Sequence, residues 1–149
     1  MVLAMALATA GSLAGAEPAL VGARACRFEA PPDWPRASLV WAGDCADGLA
    51  DGRGVLRAYQ RGAVVRSFFG RLQRGRLLFG VTSLDGGYQA GSYDAGRLVP
   101  GAGRDEIILA FDEAAAAARA LAEQYRQRGQ TASARFYDEQ ARQLAAQMD

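Results

Sequence analysis

At 149 residues the chain is sized for one compact domain with at most an appendage. Half of its residues are hydrophobic, the formal charge is +1, and all 17 basic residues are arginine. There is no histidine, which excludes Ser-His and Cys-His nucleophile pairs and the commonest transition-metal ligand.

The first 16 residues, MVLAMALATAGSLAGA, carry no charge and end in Ala14-Gly15-Ala16. That small-x-small site before Glu17 predicts a secretory signal peptide, with Ala23-Arg24-Ala25 as a second candidate site. Glu17 and Pro18 interrupt the segment and alanine dominates it, so a membrane-spanning reading is poor. Arg24 before Cys26 does not suit a lipoprotein site. The expectation is a soluble exported protein, periplasmic or secreted, with no transmembrane segment in the mature chain.

Residues 17–40 read as irregular, with Pro31, Pro32 and Pro35. The two cysteines, Cys26 and Cys45, stand 19 positions apart. Behind an export signal an even pair predicts one disulfide, tying this segment to the glycine-rich region beyond Trp41. No Cys-x-x-Cys is present, so neither a redox pair nor a metal site is expected.

Between Trp41 and Gly103 lie three glycine-and-aromatic blocks. The first has Trp41, Gly43, Gly48, Gly52 and Gly54; the second has Phe68, Gly70, Gly75 and Gly80; the third has Gly91, Gly96, Gly101 and Gly103, with Tyr88 and Tyr93 nearby. All share Gly-x4-Gly, and the blocks start 27 and 21 residues apart. A period in this range marks stacked supersecondary units, each too small to bury its own apolar face. Gly48, Gly75 and Gly96 are predicted hairpin tips, where a positive φ is needed. Strand character lies between them at Val55-Leu56, Phe68-Phe69, Leu77-Phe79, Tyr88 and Leu98-Val99. Glycines inside strands require a close backbone or an aromatic cover, and the aromatic opening each block can supply it.

This pattern resembles the MORN repeat (membrane occupation and recognition nexus), with consensus Tyr-x-Gly-x4-Gly-x3-Gly-x-Gly. The first block fits throughout if Trp41 replaces tyrosine. The second runs one residue long before Gly80 and lacks the closing Gly-x-Gly. The third has Gln89 where the aromatic belongs and closes one residue late, at Gly101-Ala102-Gly103. The resemblance implies a non-enzymatic interaction or scaffold role, and in that family lipid binding is often proposed.

After Gly103 alanine replaces glycine. Ile108, Phe111, Ala115, Ala118, Ala122 and Tyr125 form one helical stripe, with Asp112 or Asp105 as caps and Gly129 as the stop. Ile107-Ile108-Leu109 equally suits a last strand. A second stripe runs Ala134, Tyr137, Ala141, Leu144 and Met148, with Thr131 as a cap. The short turn at Gly129-Gln130 predicts an antiparallel helical hairpin over 104–149, docked on the sheet or on a second copy. The fold expected is therefore α+β: antiparallel hairpin repeats in an elongated sheet, then two helices.

Chemistry is sparse. Asp44, Asp47 and Asp51 crowd the first hairpin but lack an EF-hand ligand ladder, and aspartate is an ordinary turn residue. No phosphate-binding glycine fingerprint is present. No catalytic residue, metal or cofactor is expected. Charge is more informative. Residues 53–104 hold nine arginines against two aspartates, +7, while 17–52 and 105–149 each carry −3. Such a field draws an anionic partner, protein or envelope component, unless the acidic flanks cover it. Nucleic acid is disfavoured for an exported chain. The candidate binding residues are Arg57, Arg66, Arg71, Arg76 and Arg97 on one side of the sheet. An inhibitor or immunity-type protein of a secreted enzyme is the alternative function.

Overall fold

The computed structural model describes Gly11 and residues 19–149; the expected signal peptide and its cleavage site before Glu17 otherwise lie outside the described residues. A two-stranded pair, β1 (Leu20–Val21) with β2 (Phe28–Glu29), precedes a six-stranded antiparallel sheet. That sheet runs in chain order through β3 (Ser38–Ala46), β4 (Leu49–Gln60), β5 (Ala63–Gln73), β6 (Arg76–Leu84), β7 (Gly87–Asp94) and β8 (Arg97–Leu98). Two packed helices follow, α1 (Arg104–Gln127) and α2 (Thr131–Ala146). The expected α+β architecture is present.

Gly48, Gly75 and Gly96 sit at hairpin tips with φ near +80°. Each follows a residue that is also left-handed (Asp47, Arg74 and Ala95). Positive φ at both central positions is the turn whose twist matches flanking strands. Two further tips, Arg61-Gly62 and Asp85-Gly86, join the blocks to one another. Every connection in the sheet is thus a two-residue turn, and the strands form a simple meander.

The strand glycines fall into register. Gly43, Gly54, Gly70, Gly80 and Gly91 are consecutive cross-strand partners, one row across five strands. A Cβ on Gly54 would lie 2.6 Å from the Ala42 carbonyl oxygen and from the Trp41 ring. One on Gly80 would fall on the Phe69 carbonyl oxygen, and Phe68 closes the row 3.0 Å away. The rings of Trp41 and Phe68 therefore lie over the glycines of the same face, at a distance no other residue would permit. In the third block, where Gln89 stands for the aromatic, no ring covers Gly91. Tyr93 instead packs edge-on against Phe68, 5.3 Å between centroids, and its hydroxyl meets Thr82 Oγ1 at 2.7 Å.

The two faces are covered differently. On one, the cross-strand row Ala42, Val55, Phe69, Val81 and Ala90 lies beneath α1. Helix α1 crosses β4 to β7, and α2 packs on α1 rather than on the strands. Being buried from both sides, α1 hides Ala110, Phe111, Ala114, Ala115, Ala117, Ala118, Leu121 and Ala122, a wider surface than the single stripe expected. Alanine at these positions lets three layers approach closely.

The opposite face, with Leu56, Phe68, Leu72, Leu77 and Tyr93, is covered by the N-terminal segment through Phe28, Trp34 and neighbours. This segment crosses the three expected tips in order. Arg27 N–H donates to the Gly48 carbonyl and Glu29 N–H to that of Gly75, and Pro32 lies against Gly96. The Cys26–Cys45 disulfide, with Cα atoms 5.5 Å apart, fixes one end of it.

Several local expectations are corrected. The sheet starts at Ser38, before Trp41, and the chain leaves it at Leu98. Gly101 and Gly103 consequently close no hairpin; they belong to the connection, Gly103 standing just before α1. Ile107-Ile108-Leu109 are helical. None of Asp105, Asp112 and Thr131 caps a helix through its side chain, because each lies inside its helix rather than before it. Gly129, with φ +73°, does mark the stop of the first helix.

Candidate anion site

The five arginines expected on one face are divided between two. Arg57 and Arg71 point to the helix layer, whereas Arg66, Arg76 and Arg97 point to the N-terminal segment. Alternation along β4 and β5 imposes this split, since Arg71 shares its face with Phe69 and Arg66 with Phe68. The sequence sums charge along the chain but does not sort it by face, so a single basic binding face is not formed.

All five are engaged within the chain, three of them by carboxylates. Arg71 Nε reaches Glu113 at 2.9 Å, and Arg76 Nε reaches Glu29 at 2.8 Å. Arg97 lies 3.7 Å from Asp33, and Arg66 donates to the Asp33 carbonyl with its guanidinium near the Trp34 ring. Acidic residues from both flanks thus cover the basic sheet. They are not the ones expected, because Glu123, Asp138 and Glu139 pair with Arg126 and Arg142 on the helices themselves.

Glu113 is the strongest of these anchors. Arg53 grips it as a fork, Nε to one carboxylate oxygen at 2.7 Å and Nη2 to the other at 3.0 Å. Hydrogen bonding from Arg53 holds the Glu113 carboxyl below its usual range, against the partial burial that works to raise it. Charge-assisted, two-point contacts of this kind are the stronger class of ion pair.

Arg57 stands four residues along the same strand and has no carboxylate partner among the described residues. Its Nη1 donates to the hydroxyls of Tyr125, at 3.1 Å, and Tyr137, at 3.0 Å. The rings of Tyr59 and Tyr137 lie 5.7 and 5.8 Å from its Cζ. Its Nε is buried without a partner, the one such side-chain atom among the described residues. A buried N–H left unpaired costs roughly 1–3 kcal/mol. Nη2, beside it, has no hydrogen-bond partner among the described residues. Burial works to lower the Arg57 pKa, the facing tyrosine oxygens raise it, and the net effect is upward. Burial raises that of Tyr137. The cation and the phenol both hold their protons through the neutral range.

The surroundings are open. Helix α1 packs on β4 but not closely on β3, so Val40, the cross-strand partner of Arg57, is 42 % exposed. Tyr59 also lines an open depression of about 870 Å³ with Arg36, Ser38, Gln60, Arg61 and Val65. Arg36 and Arg61 are exposed and in no ion pair among the described residues.

Arg36, Tyr59, Arg61, Tyr125 and Tyr137 are absent from the sequence-based site. Tyr125 and Tyr137 read as helix-stripe core, and only the packing of α1 on β4 and of α2 on α1 brings their hydroxyls to an arginine. Of the aspartates only Asp47 takes the turn role expected, at the tip beside Gly48; Asp44 and Asp51 lie within β3 and β4. Asp44 and Asp51 carboxylates accept the backbone N–H of Arg53 and Arg74, and no group of three metal-ligating side chains occurs among the described residues. No described helix is long and apolar enough to cross a membrane. Comparison of the chain with protein-family models, curated proteins and solved structures gives no match.

Proposed function

We propose that the protein is a non-enzymatic, exported interaction module of MORN-like build that holds a protein or an anionic envelope component. The observation that carries this reading is the open depression lined by Arg36 and Arg61, both exposed and in no ion pair among the described residues. Support for the scaffold comes from the glycine row under Trp41 and Phe68. The disulfide accords with an oxidising compartment, and export follows from the N-terminal sequence. The absence of histidine from the sequence and the engagement of Asp44 and Asp51 with backbone speak against catalysis.

Affinity capture tests it. Immobilised protein incubated with envelope extract is expected to retain a component that elutes as salt rises, since the contacts are charge-steered. A single secreted enzyme as sole partner, with its turnover suppressed, would favour the inhibitor function instead. Failure to retain anything, or a turnover of the protein's own that disappears in Asp44→Asn, would overturn the proposal.

A further inference from the structure

We infer that the outer edge of β3 pairs with the same edge of a second copy of the chain, antiparallel and centred on Val40. This goes beyond the interaction-module reading, since it concerns a strand edge rather than what the depression holds. Strand β3 bonds only to β4, and its outer edge has no backbone partner among the described residues. From Ser38 to Gly43 it runs in regular register without a charge or a proline, and its bulge comes later, between Gly43 and Cys45. Sheet edges are usually blunted by charge, proline or cover. The far edge of this sheet is covered: β8 pairs with Tyr93 and Asp94, and Val99 N–H donates to the Ser92 carbonyl. Strand β3 lacks such a cover, because α1 crosses β4 to β7 and leaves Val40 42 % exposed.

Charge selects the occupant. Arg36 stands just before this edge and Asp44 at its far end. Both are exposed, and neither is in an ion pair among the described residues. An edge positive at one end and negative at the other complements itself when reversed. With Val40 opposite Val40 of the second copy, Ser38 faces Ala42, Leu39 faces Trp41 and Arg36 comes level with Asp44. A twofold axis repeats each of these pairs, and apolar cross-strand pairs add to the ladder bonds. Moving the register one step either way sets Arg36 against Ala42 or Ala46 and forfeits both ion pairs. An acidic strand from another protein would instead run onto Asp44 and Asp47. Arg36 also lines the depression, so the dimer and a component held there draw on the same side chain and compete.

The test is cross-linking of the full chain under mild oxidation, with the linkage located by peptide mass. The native cysteines are already joined, so Val40→Cys carries the one free thiol. Copies of V40C should join about tenfold faster than copies of Val64→Cys, because paired strands hold the two thiols within bonding reach. Val64 is as exposed as Val40 but lies on the inner strand β5. Sedimentation supplies the second readout. Arg36→Asp and Asp44→Arg are each expected to be monomeric alone, at concentrations where the wild type is dimeric. Their equimolar mixture should form the dimer, since each variant then meets its opposite charge at both ends. Arg36 is exposed and is bonded only at its backbone carbonyl, by Gln60 Nε2, so R36D keeps the test informative if D44R unfolds. A wild type monomeric at every concentration, or V40C joining no faster than V64C, would overturn the inference. Preferential joining of V40C to Gln89→Cys, on β7, would overturn it in favour of a head-to-tail contact. A mixture that stays monomeric would overturn the register. If envelope capture succeeds while V40C fails to join, this inference falls and the interaction module stands. Empty capture with rapid joining gives the reverse.

Discussion

The two faces of the sheet solve the same problem with opposite materials. The helix face is covered by a regular element whose alanines fit closely between the strands and α2. Its one strong polar fixture is Glu113, shared by Arg53 and Arg71. The opposite face is covered by a nearly irregular segment. That segment is held by backbone bonds to hairpin tips, by aromatic packing and by a disulfide. Helical cover is built from many small burials, none individually large. Irregular cover needs discrete fixtures, and removing any one of them should be felt. Beneath both lies the glycine row, on which each cover depends.

The largest expected effect comes from the row itself. Gly80→Val would drive a branched side chain onto the Phe69 carbonyl and against Phe68. Loss of roughly 3 kcal/mol or more is expected for a rigid backbone clash, enough to unfold a marginal domain. Thermal unfolding by circular dichroism checks it, and an unchanged midpoint would remove the glycine row from the account.

Next is the fixture of the irregular face. Cys26→Ser/Cys45→Ser opens a loop of 19 residues' separation, worth about 3 kcal/mol by chain entropy. Amide exchange should accelerate first at Phe28 and Trp34, while Ala114 and Leu121 keep their protection. Equal acceleration on both faces would show that the covers are not independent.

The smallest of the three concerns the helix face. Glu113→Gln should cost about 1 kcal/mol near neutrality, since both arginine partners are partly exposed and screened. The sign with pH is fixed. The folded-state pKa of Glu113 lies below its ordinary 4.5, so the carboxylate stabilises fully above that value. The contribution is lost as pH falls through the lower folded value. The stability gap between wild type and Glu113→Gln should therefore close on acidification, measured by urea unfolding across that range. A gap independent of pH would mean that the ion pairs contribute nothing.

Much of the fold is legible in the residues. Gly-x4-Gly spacing marks Gly48, Gly75 and Gly96, and an even pair of cysteines marks the disulfide. Apolar residues three and four positions apart mark both helices. Gly62 and Gly86 lie outside the repeated motif and so carry no such mark, although Asp85-Gly86 is a strong hairpin pair. Gly101 and Gly103 continue the motif in sequence after the chain has left the sheet. The arginine placement fails for a different reason. A net charge of +7 over 53–104 is a sum, whereas face and partner are set by strand alternation and by which carboxylate the covers bring near. Glu113 and Glu29 are 60 and 47 residues from Arg53 and Arg76, a separation no local pattern reveals. Arg57 and Arg66 are the members of the expected set that the covers leave without a carboxylate, bonded instead to tyrosine hydroxyls and to the Asp33 carbonyl.

The most direct measurement compares two double variants of equal charge for capture of a component from envelope extract. R36Q/R61Q removes arginines with no acidic partner, and R76Q/R97Q removes arginines already paired with Glu29 and Asp33. Both lower the net charge by the same amount, so a difference between them reports position rather than overall field. The expected result is loss of the captured component in R36Q/R61Q, with capture by R76Q/R97Q close to wild type. Equal loss in both, or retention by R36Q/R61Q alone, would contradict the assignment of the binding site to the unpaired arginines.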